Sequence, residues 1–292
     1  MTIMKVWILA ARPKTLSAAI SPILIGIGLA FREETFEKNP AMLCLLFAVL
    51  VQIGANFAND YFDHAKGADT EDRIGPTRAV AAGLVDPPRM RQAFCAVFLL
   101  AFVVGCGLVY YGGLWLLAIG IASILSGIAY TGGPFPFGYH GLGDLFAFLF
   151  FGIIAVSVTF YTQAGYFSVI SLLPATAIGS LVTNILVVNN FRDIDSDRRA
   201  GKSTLAVRFG QNFSVREYQV NCLIALVVPV VLWRLSFGPW ILLPIVCWPW
   251  SLVLRRRLQE YRGNQLNQVL ADSAQFLLLY SILLSIGIAL GK

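Results

Sequence analysis

Charged residues are scarce in this sequence. Asp, Glu, Lys and Arg make up 13% of the 292 residues, whereas a soluble domain usually has about a quarter. Hydrophobic residues make up 57%, and the mean hydropathy is +0.72. So few charges cannot cover the surface of a soluble protein of this length, which excludes an ordinary soluble enzyme. The composition indicates a polytopic membrane protein instead.

Cysteine and histidine give no sign of a metal centre. The five cysteines all lie in apolar stretches and show neither a CxxC pair nor another metal-type spacing, so we interpret them as packing residues. The two histidines, His64 and His140, flank the polar motifs described below, and we assign neither a catalytic role. No basic stripe alternates with aromatic residues, so we expect no nucleic-acid partner, and no protein partner is predictable from the sequence.

Nine apolar runs are candidate membrane-spanning helices, although the last three are short. They cover residues 15–31, 41–58, 93–112, 114–129, 145–163, 167–188, 220–235, 240–254 and 276–290. Nine helices of about 20 residues each leave room only for connecting loops. The predicted fold is therefore all-α, with a single transmembrane domain over residues 1–292.

The distribution of basic residues predicts the orientation of the chain. With nine spans, the N-terminus and every second loop lie on the same side of the membrane, and cytoplasmic loops are enriched in Lys and Arg. Eighteen of the 22 Lys and Arg residues fall in those segments, and only Arg32, Lys38, Arg234 and Lys292 fall outside them. We therefore expect the N-terminus to be cytoplasmic.

Two polar runs interrupt the apolar pattern at the ends of the second and sixth spans. The first has Asn59 and Asp63, and the second has Asn189 and Asp193, in each case four residues apart and thus on one helical face. Helices two and six run in the same direction, so both runs reach the cytoplasmic surface. This offset suggests an internal duplication of helices 1–4 and 5–8, with the ninth helix additional.

The side chains of the two runs predict a metal site. Carboxylate and amide oxygens favour a hard cation such as Mg²⁺, which normally also needs phosphate oxygens from a substrate. Asp197 extends the second run in the same way. Asp69 follows Gly67, so a loop must fold it back to reach the first run, and the alternative is a solvated side chain. Asp60 and Asp195 are expected to support the ligands or cap a loop.

Basic residues surround both runs, and together with a metal they would bind a diphosphate. They are Lys66, Arg73 and Arg78 after the first run, and Arg192, Arg198, Lys202 and Arg208 around the second. For each residue alone, the alternative is membrane orientation or contact with lipid headgroups. As a group they favour a diphosphate site, because they cluster on the loops that carry the acidic residues.

These motifs resemble a known family. The first run continues as NDYFD, KGAD and DRIGPTRAVAAG up to Gly83, and the second reads NNFRDIDSDRRAGKSTLAVRFG up to Gly210. They resemble the two signatures of the UbiA superfamily of intramembrane prenyltransferases, in the form of its menaquinone-pathway branch, the 1,4-dihydroxy-2-naphthoate polyprenyltransferases. ARPKTLSAA from Ala11, YTGGPFPFGYHGLGD from Tyr130 and residues 159–163 are also similar. Asp69 comes ten residues after Asn59, later than in many superfamily members, a spacing that looks like this branch.

The resemblance implies a bundle of nine helices around a central cavity, and an Mg²⁺-dependent transfer of a polyprenyl chain. The donor would be an isoprenyl diphosphate bridged by two Mg²⁺ ions, and the acceptor 1,4-dihydroxy-2-naphthoate, which loses its carboxylate to form a demethylmenaquinone. The protein would lie in the bacterial cytoplasmic (inner) membrane, with its active site toward the cytoplasm, and would take its prenyl donor from the lipid bilayer.

The resemblance also assigns roles to individual residues. The implied metal ligands are Asn59, Asp63, Asp69, Asn189, Asp193 and Asp197. The implied substrate-binding residues are Arg12, Asn59, Lys66, Arg78, Tyr130, Tyr139, Asn189, Arg192, Lys202 and Arg208. Asp63, Asp193, Lys14 and Asp144 are the implied catalytic residues. For Arg12 and Lys14 the alternative is to anchor a helix end, and for Asp144 it is to cap the fifth helix.

Three other functions remain open at this point. A prenyltransferase of the same superfamily could use another aromatic acceptor, and an assay across acceptors would decide. A transporter could bind an ion or anion at the charged helix ends, and would show vectorial uptake without diphosphate release. A CDP-alcohol phosphotransferase is also Asp-rich and intramembrane, but its DGxxAR pattern is absent from this sequence.

Overall fold

The computed structural model describes residues 2–69 and 74–291. These residues form helices and no strand, which confirms the predicted all-α class. Arg73, one of the basic residues expected near the diphosphate, and Asp72, which begins the DRIGPTRAVAAG motif, lie outside the described residues.

The described residues contain twelve α-helices, one π-helical segment and five 3₁₀ helices. The α-helices are α1 (Ile3–Ala11), α2 (Leu16–Arg32), α3 (Lys38–Ala65), α4 (Pro87–Gly112), α5 (Trp115–Ala129), α6 (Gly143–Ala147), α7 (Ala155–Ala164), α8 (Leu172–Arg192), α9 (Ile194–Arg199), α10 (Leu205–Arg234), α11 (Trp248–Glu260) and α12 (Leu266–Leu290). The π-helical segment Phe148–Ile154 joins α6 to α7, and the 3₁₀ helices are Pro13–Thr15, Phe137–Tyr139, Val169–Ser171, Pro239–Cys247 and Gly263–Gln265.

The chain is a multi-pass membrane protein. Seven helical segments in the described residues have the length and composition to cross a membrane: Ile3–Arg32, Lys38–Ala65, Pro87–Gly112, Gly143–Ala164, Val169–Arg192, Leu205–Arg234 and Gly263–Leu290. Large apolar side chains such as Leu99, Val103 and Leu125 are exposed on the outside of the bundle, as expected for contact with lipid.

The predicted number of nine spans is not confirmed. The predicted span at residues 114–129 corresponds to α5, which has 15 residues and is shorter than the other spanning candidates. The predicted span at 240–254 is divided between a 3₁₀ helix that contains Pro244 and the start of α11. Proline removes a backbone donor and interrupts an α-helix, which explains why this apolar run does not form one long helix.

Close packing of α8 places the second polar run inside the bundle. Helix α8 packs along α10, α12 and the π-helical segment, and its buried residues form part of the largest hydrophobic cluster. A Cβ at Gly152 would lie 2.6 Å from the Cα of Gly179, so the two glycines allow the backbones of the π-helical segment and α8 to touch. Helix α3 packs along α4, and α2 packs along α12. The described chain thereby brings the carboxyl ends of α3 and α8 to one cavity.

Candidate active site

A cavity of about 330 Å³ runs through the bundle and is polar at one end and apolar at the other. The polar end is lined by residues of both polar runs, and the apolar end by side chains such as Ile23, Cys44 and Leu108. Cys44 and Asp63 both lie on α3, and at 1.5 Å per residue their separation along the helix is about 28 Å. The cavity therefore suits a molecule with a charged head and a long apolar tail.

The first polar run presents its ligand candidates on one face of α3. The Asn59 side-chain oxygen accepts a hydrogen bond of 2.8 Å from the Thr131 hydroxyl. One turn later, Asp63 is 2% exposed and accepts a hydrogen bond of 2.9 Å from the Tyr139 hydroxyl. Arg78 and Lys202 approach the Asp63 carboxylate at 3.2 and 3.3 Å. Asp63 is thus a buried carboxylate neutralised by cations from two separate loops.

Asp69 is folded back toward the first run. Helix α3 ends at Ala65 and is followed by Gly67 in the left-handed conformation (φ +67°), and the Ala68 amide donates to the Asp63 carbonyl at 2.9 Å. This turn reverses the chain, so the Asp69 carboxylate lies 3.5 Å from Nε of Arg78, the same arginine that binds Asp63. The structure therefore places Asp69 beside Asp63 and not in open solvent.

Asp60 supports the loop that carries Arg78. Its two carboxylate oxygens accept backbone hydrogen bonds from Ala79 at 2.9 Å and Val80 at 3.3 Å. Asp60 is 1% exposed, and its contacts confirm the expectation that it caps a loop. Arg78 is fixed by this contact next to the carboxylates it binds.

The second polar run is organised around Arg192. This arginine is buried and binds the neighbouring Asp193 carboxylate with two hydrogen bonds of 2.7 and 2.6 Å. It also donates to the Asn189 side-chain oxygen at 2.8 Å. Asp197 lies one turn further, in α9, and is buried, whereas the Asp195 side chain is 83% exposed and pairs with Arg198 at 3.9 Å. In α9, Asp197 is therefore the buried carboxylate, whereas Asp195 lies at the surface.

Lys202 connects the two runs. Its ammonium lies 3.3 Å from the Asp63 carboxylate and 3.8 Å from that of Asp197. The ammonium groups of Lys202 and Lys66 both approach the Tyr139 ring, at 4.8 and 4.6 Å from the ring centre. Such distances allow cation–π attraction. Lys202, Lys66 and Tyr139 form a cationic and aromatic wall next to the carboxylates.

Partial burial shifts the pKa values of two members of this wall, Lys66 and Tyr139. The pKa of Lys66 is lowered by burial, and the Asp63 charge opposes part of that effect. The pKa of Tyr139 is raised by burial first and then by the Asp63 carboxylate. Tyr139 therefore remains protonated and can donate its hydrogen bond to Asp63.

Some of the other predicted site residues line the cavity and others do not. Arg12, with a left-handed backbone (φ 52°), and Tyr130 line the cavity. Lys14 is exposed and does not line it. Asp144 is buried in α6 but does not line the cavity either. Arg208 is outside the cavity and donates to the His140 carbonyl at 2.9 Å.

Lys66 and Arg192 lie around the cavity and do not line it. Lys66 donates to the Thr131 carbonyl at 2.6 Å. Arg192 has the contacts with Asp193 and Asn189 described above. The roles that the resemblance implies for Lys66, Arg192, Lys14, Asp144 and Arg208 stay predictions.

A polar group on the cavity wall was missed in the sequence analysis. Gln52 donates to the Thr15 hydroxyl at 3.3 Å, and Asn56 donates to the same hydroxyl at 3.1 Å and to the Ala11 carbonyl at 2.9 Å. Gln52, Asn56, Asn59 and Asp63 follow the spacing of one helical face, so the same periodicity would have extended the polar stripe by two turns. All four line the cavity.

Comparison with known proteins identifies the family. Residues 19–282 match the UbiA prenyltransferase family. The chain belongs to this family. The predicted class of protein, an intramembrane prenyltransferase, is thereby confirmed.

Relatives in the UbiA family share most of the chain. The 1,4-dihydroxy-2-naphthoate octaprenyltransferase of Mycobacterium tuberculosis is 37% identical over 98% of this chain and 97% of its own length. The Escherichia coli enzyme of the same name is 40% identical over 78% of this chain and 76% of its own length. A UbiA homolog from Archaeoglobus fulgidus bound to GPP and Mg²⁺ has a TM-score of 0.68 over 96% of this chain and 99% of that chain, at 14% identity, which shows a common fold.

The donor groups of this UbiA-family site suit a hard divalent cation. Carboxylate and amide oxygens from both polar runs line the polar end of the cavity: Asn59, Asp63, Asn189, Asp193 and Asp197. Within residues 2–69 and 74–291, no three Asp, Glu, His or Cys side chains are grouped closely enough to hold a metal ion by themselves. This arrangement fits Mg²⁺, which binds through one or two carboxylates and completes its coordination with substrate phosphates and water.

Removing the connecting lysine should make the site more dependent on metal. Lys202→Met leaves the Asp63 and Asp197 carboxylates without a shared cation. We expect the unfolding temperature of this variant without Mg²⁺ to fall by roughly 2 to 4 °C for each kcal/mol of unfolding free energy that the substitution removes. Added Mg²⁺ should then raise the midpoint more than in the wild type, as measured by thermal unfolding in detergent.

Arg198→Gln is the control for this measurement, because Arg198 belongs to the same segment and is exposed. It should respond to Mg²⁺ as the wild type does. An identical Mg²⁺ response in Lys202→Met and the wild type would contradict the connecting role of Lys202.

Proposed function

We propose that this protein transfers a polyprenyl chain from an isoprenyl diphosphate to 1,4-dihydroxy-2-naphthoate, with loss of carbon dioxide. The observation that carries the proposal is the bridge by Lys202 between Asp63 and Asp197 at the polar end of a long apolar cavity. Full-length relatives named as 1,4-dihydroxy-2-naphthoate octaprenyltransferases support this acceptor.

The donor would bind with its diphosphate at the polar runs and its tail in the apolar part of the cavity. Lys202 and Arg78 are the cations nearest to Asp63, and both line the cavity. We propose that the site binds two Mg²⁺ ions. The ligands would be Asn59, Asp63 and Asp69 from the first polar run and Asn189, Asp193 and Asp197 from the second. When bound, Mg²⁺ would stabilise the negative charge of the leaving diphosphate.

The transfer begins when the bond between the allylic carbon and the diphosphate oxygen breaks. Positive charge then develops on the allylic carbon while negative charge develops on the leaving group, where Lys202 and Arg78 stabilise it. Tyr130, Phe146 and Phe150 line the cavity below the polar end, and their ring faces can stabilise the positive charge. The Tyr139 hydroxyl holds Asp63 in place through its hydrogen bond.

The acceptor ring then supplies the electron pair for the new bond. The ring carbon that bears the carboxylate bonds to the allylic carbon, the carboxylate leaves as carbon dioxide, and enolisation restores the aromatic ring. The balance of atoms and electrons gives diphosphate, carbon dioxide and the quinol form of a demethylmenaquinone. No external oxidant is needed for this step.

A group of polar side chains on the cavity wall suits the acceptor. We call it the acceptor wall, and it consists of Arg12, Thr15, Gln52 and Asn56. Arg12 provides a positive charge at the cavity, and Gln52, Asn56 and Thr15 provide amide and hydroxyl groups beside it. We propose that Arg12 binds the naphthoate carboxylate and that Gln52 contacts a ring hydroxyl. This wall lies on the same face of α3 as Asn59 and Asp63, so the acceptor would lie next to the allylic carbon.

We propose an orientation in the membrane that the charge distribution supports. Both polar runs lie at helix ends near the basic loops, which favours a cytoplasmic position of the site and the N-terminus in a bacterial cytoplasmic membrane. The diphosphate would then enter from the side where it is made, while the tail remains in the bilayer.

Product identification tests the proposed function directly. The purified protein is given Mg²⁺, isoprenyl diphosphates of several lengths and 1,4-dihydroxy-2-naphthoate, and the product is analysed by mass spectrometry. We expect a prenylated naphthoquinol whose mass shows the loss of carbon dioxide. Prenylation only of 4-hydroxybenzoate or homogentisate would instead assign another acceptor within the family, and uptake without diphosphate release would indicate a transporter.

The two-run site predicts the effect of removing single carboxylates. Asp63→Asn and Asp193→Asn should each lower the rate of Mg²⁺-dependent diphosphate release by at least about 100-fold, because each removes charge that a metal ion requires. Asp195→Asn is the matched control, since this carboxylate is exposed and directed away from the site. Near-normal release by Asp63→Asn or Asp193→Asn would refute the two-run metal site.

The acceptor wall predicts a selective change in Michaelis constants. Gln52→Met keeps the length of the side chain and removes its hydrogen bonds, while Gln52→Glu adds a negative charge that repels a carboxylate. Both variants should raise KM for dihydroxynaphthoate by about 10-fold or more and leave KM for the isoprenyl diphosphate unchanged. Steady-state kinetics with each substrate varied in turn measures the difference, and an equal rise in both constants would rule out an acceptor-specific role.

A further inference from the structure

Asn267, in the first turn of α12, connects two parts of the site that are far apart in the sequence. Its side-chain oxygen accepts a hydrogen bond of 2.8 Å from Nη1 of Arg192, and its side-chain amide donates to the Ile74 carbonyl at 3.1 Å. The partners fix the orientation of the amide group, because the arginine can only donate and the carbonyl can only accept. Asn267 therefore links the second polar run to the loop that follows the first.

The contact with Arg192 acts on the ligand candidates of the second run. Arg192 binds Asp193 and Asn189 through Nε and Nη2, and these residues belong to its own helix end. Asn267 holds the remaining nitrogen, Nη1, from a different helix. A planar guanidinium held at three nitrogens cannot rotate, so Asn267 sets the direction in which Arg192 presents the Asp193 carboxylate.

The contact with Ile74 acts on the first run. Ile74 lies four residues before Arg78, the arginine that binds both Asp63 and Asp69. On the other side of Arg78, Asp60 holds the Ala79 and Val80 amides. The backbone that carries Arg78 is thus fastened to α12 before the arginine and to α3 after it.

Helix α12 is well packed on both sides of Asn267. Leu266 and Leu270, on either side of Asn267, are buried in the largest hydrophobic cluster, and Leu270 lines the cavity. The neighbouring Gln268 is exposed and donates to Asp272 at 2.7 Å, away from the site. Of these two adjacent amide side chains, Asn267 therefore contacts residues of the site, whereas Gln268 lies at the surface.

We propose that Asn267 is a positioning residue that orients Arg192 and fastens the Arg78 loop, and so holds the two halves of the diphosphate site in register. It does not touch the reacting atoms and acts through the two arginines. The proposal rests on the proposed function for the identity of the ligand, an isoprenyl diphosphate with Mg²⁺.

The test measures binding and kinetics of the full-length protein in detergent. Binding of a non-hydrolysable farnesyl thiodiphosphate in the presence of Mg²⁺ is followed by isothermal titration calorimetry. Asn267→Ala should weaken binding by about 10- to 100-fold, the range found when groups that orient metal ligands are removed. It should also raise KM for the donor and for Mg²⁺ while leaving KM for the acceptor unchanged, which general loss of stability would not do.

Two further variants sharpen the result. Asn267→Asp keeps an acceptor for Arg192 and should lose less affinity than Asn267→Ala, whereas Gln268→Ala should bind as the wild type does. Asn267→Ser provides a second truncation in case Asn267→Ala does not fold. Wild-type affinity in the truncated variants, or equal losses in Asn267→Asp and Asn267→Ala, would overturn the proposal. Failure of the wild type itself to bind the analogue would refute the proposed donor and this role together.

Discussion

The ion pairs of Lys202 with Asp63 and Asp197 are the contacts on which the site depends. Two acidic helix ends lie at the same cavity within an apolar bundle, and an uncompensated charge there costs several kcal/mol. Lys202 neutralises both ends at once, at 3.3 and 3.8 Å. Without Lys202, Asp63 would keep Arg78 as a close counter-charge and Asp197 would lose its ion pair with this lysine, so the polar end of the cavity would carry more uncompensated negative charge. The same lysine therefore links the two polar runs electrostatically and supplies positive charge at the polar end of the cavity.

The ion pairs of the two polar runs differ in length and in the cations that form them. The nitrogens of Arg78 and Lys202 lie 3.2 and 3.3 Å from the Asp63 carboxylate oxygens. These distances are longer than the 2.6 Å between Nη2 of Arg192 and the Asp193 carboxylate. The longer pairs hold the Asp63 carboxylate less tightly than the short bidentate pair holds Asp193. If Mg²⁺ were bound by Asp63, it would supply positive charge there, and Arg78 and Lys202 would be available to bind phosphate oxygens.

The sequence predicted the helical part of this arrangement and the need for a loop to return Asp69 to the first run, but it missed the contacts that join the loops to distant helices. Asn59 and Asp63 are joined by one helical turn, so their common face followed from spacing alone, and the apolar runs predicted the all-α class. The position of Asp69 depends on the left-handed turn at Gly67, and that of Asn267 depends on a contact with Ile74 across 193 positions. Neither leaves a periodic signal. Gln52 did leave one, since it extends the face of Asn59 and Asp63, but an uncharged residue attracts less notice in an apolar run.

The two polar runs are alike in sequence and differ in how they are neutralised. Asp193 is held by Arg192, its direct neighbour, so the second run carries its own counter-charge as soon as α8 ends. Asp63 receives its cations from Arg78 and Lys202, which belong to two separate loops. The second run consequently carries its counter-charge at its own helix end, whereas the first depends on two loops. Those loops must be held in place for Asp63 to be neutralised, and the Asp60 contacts with Ala79 and Val80 do this for Arg78.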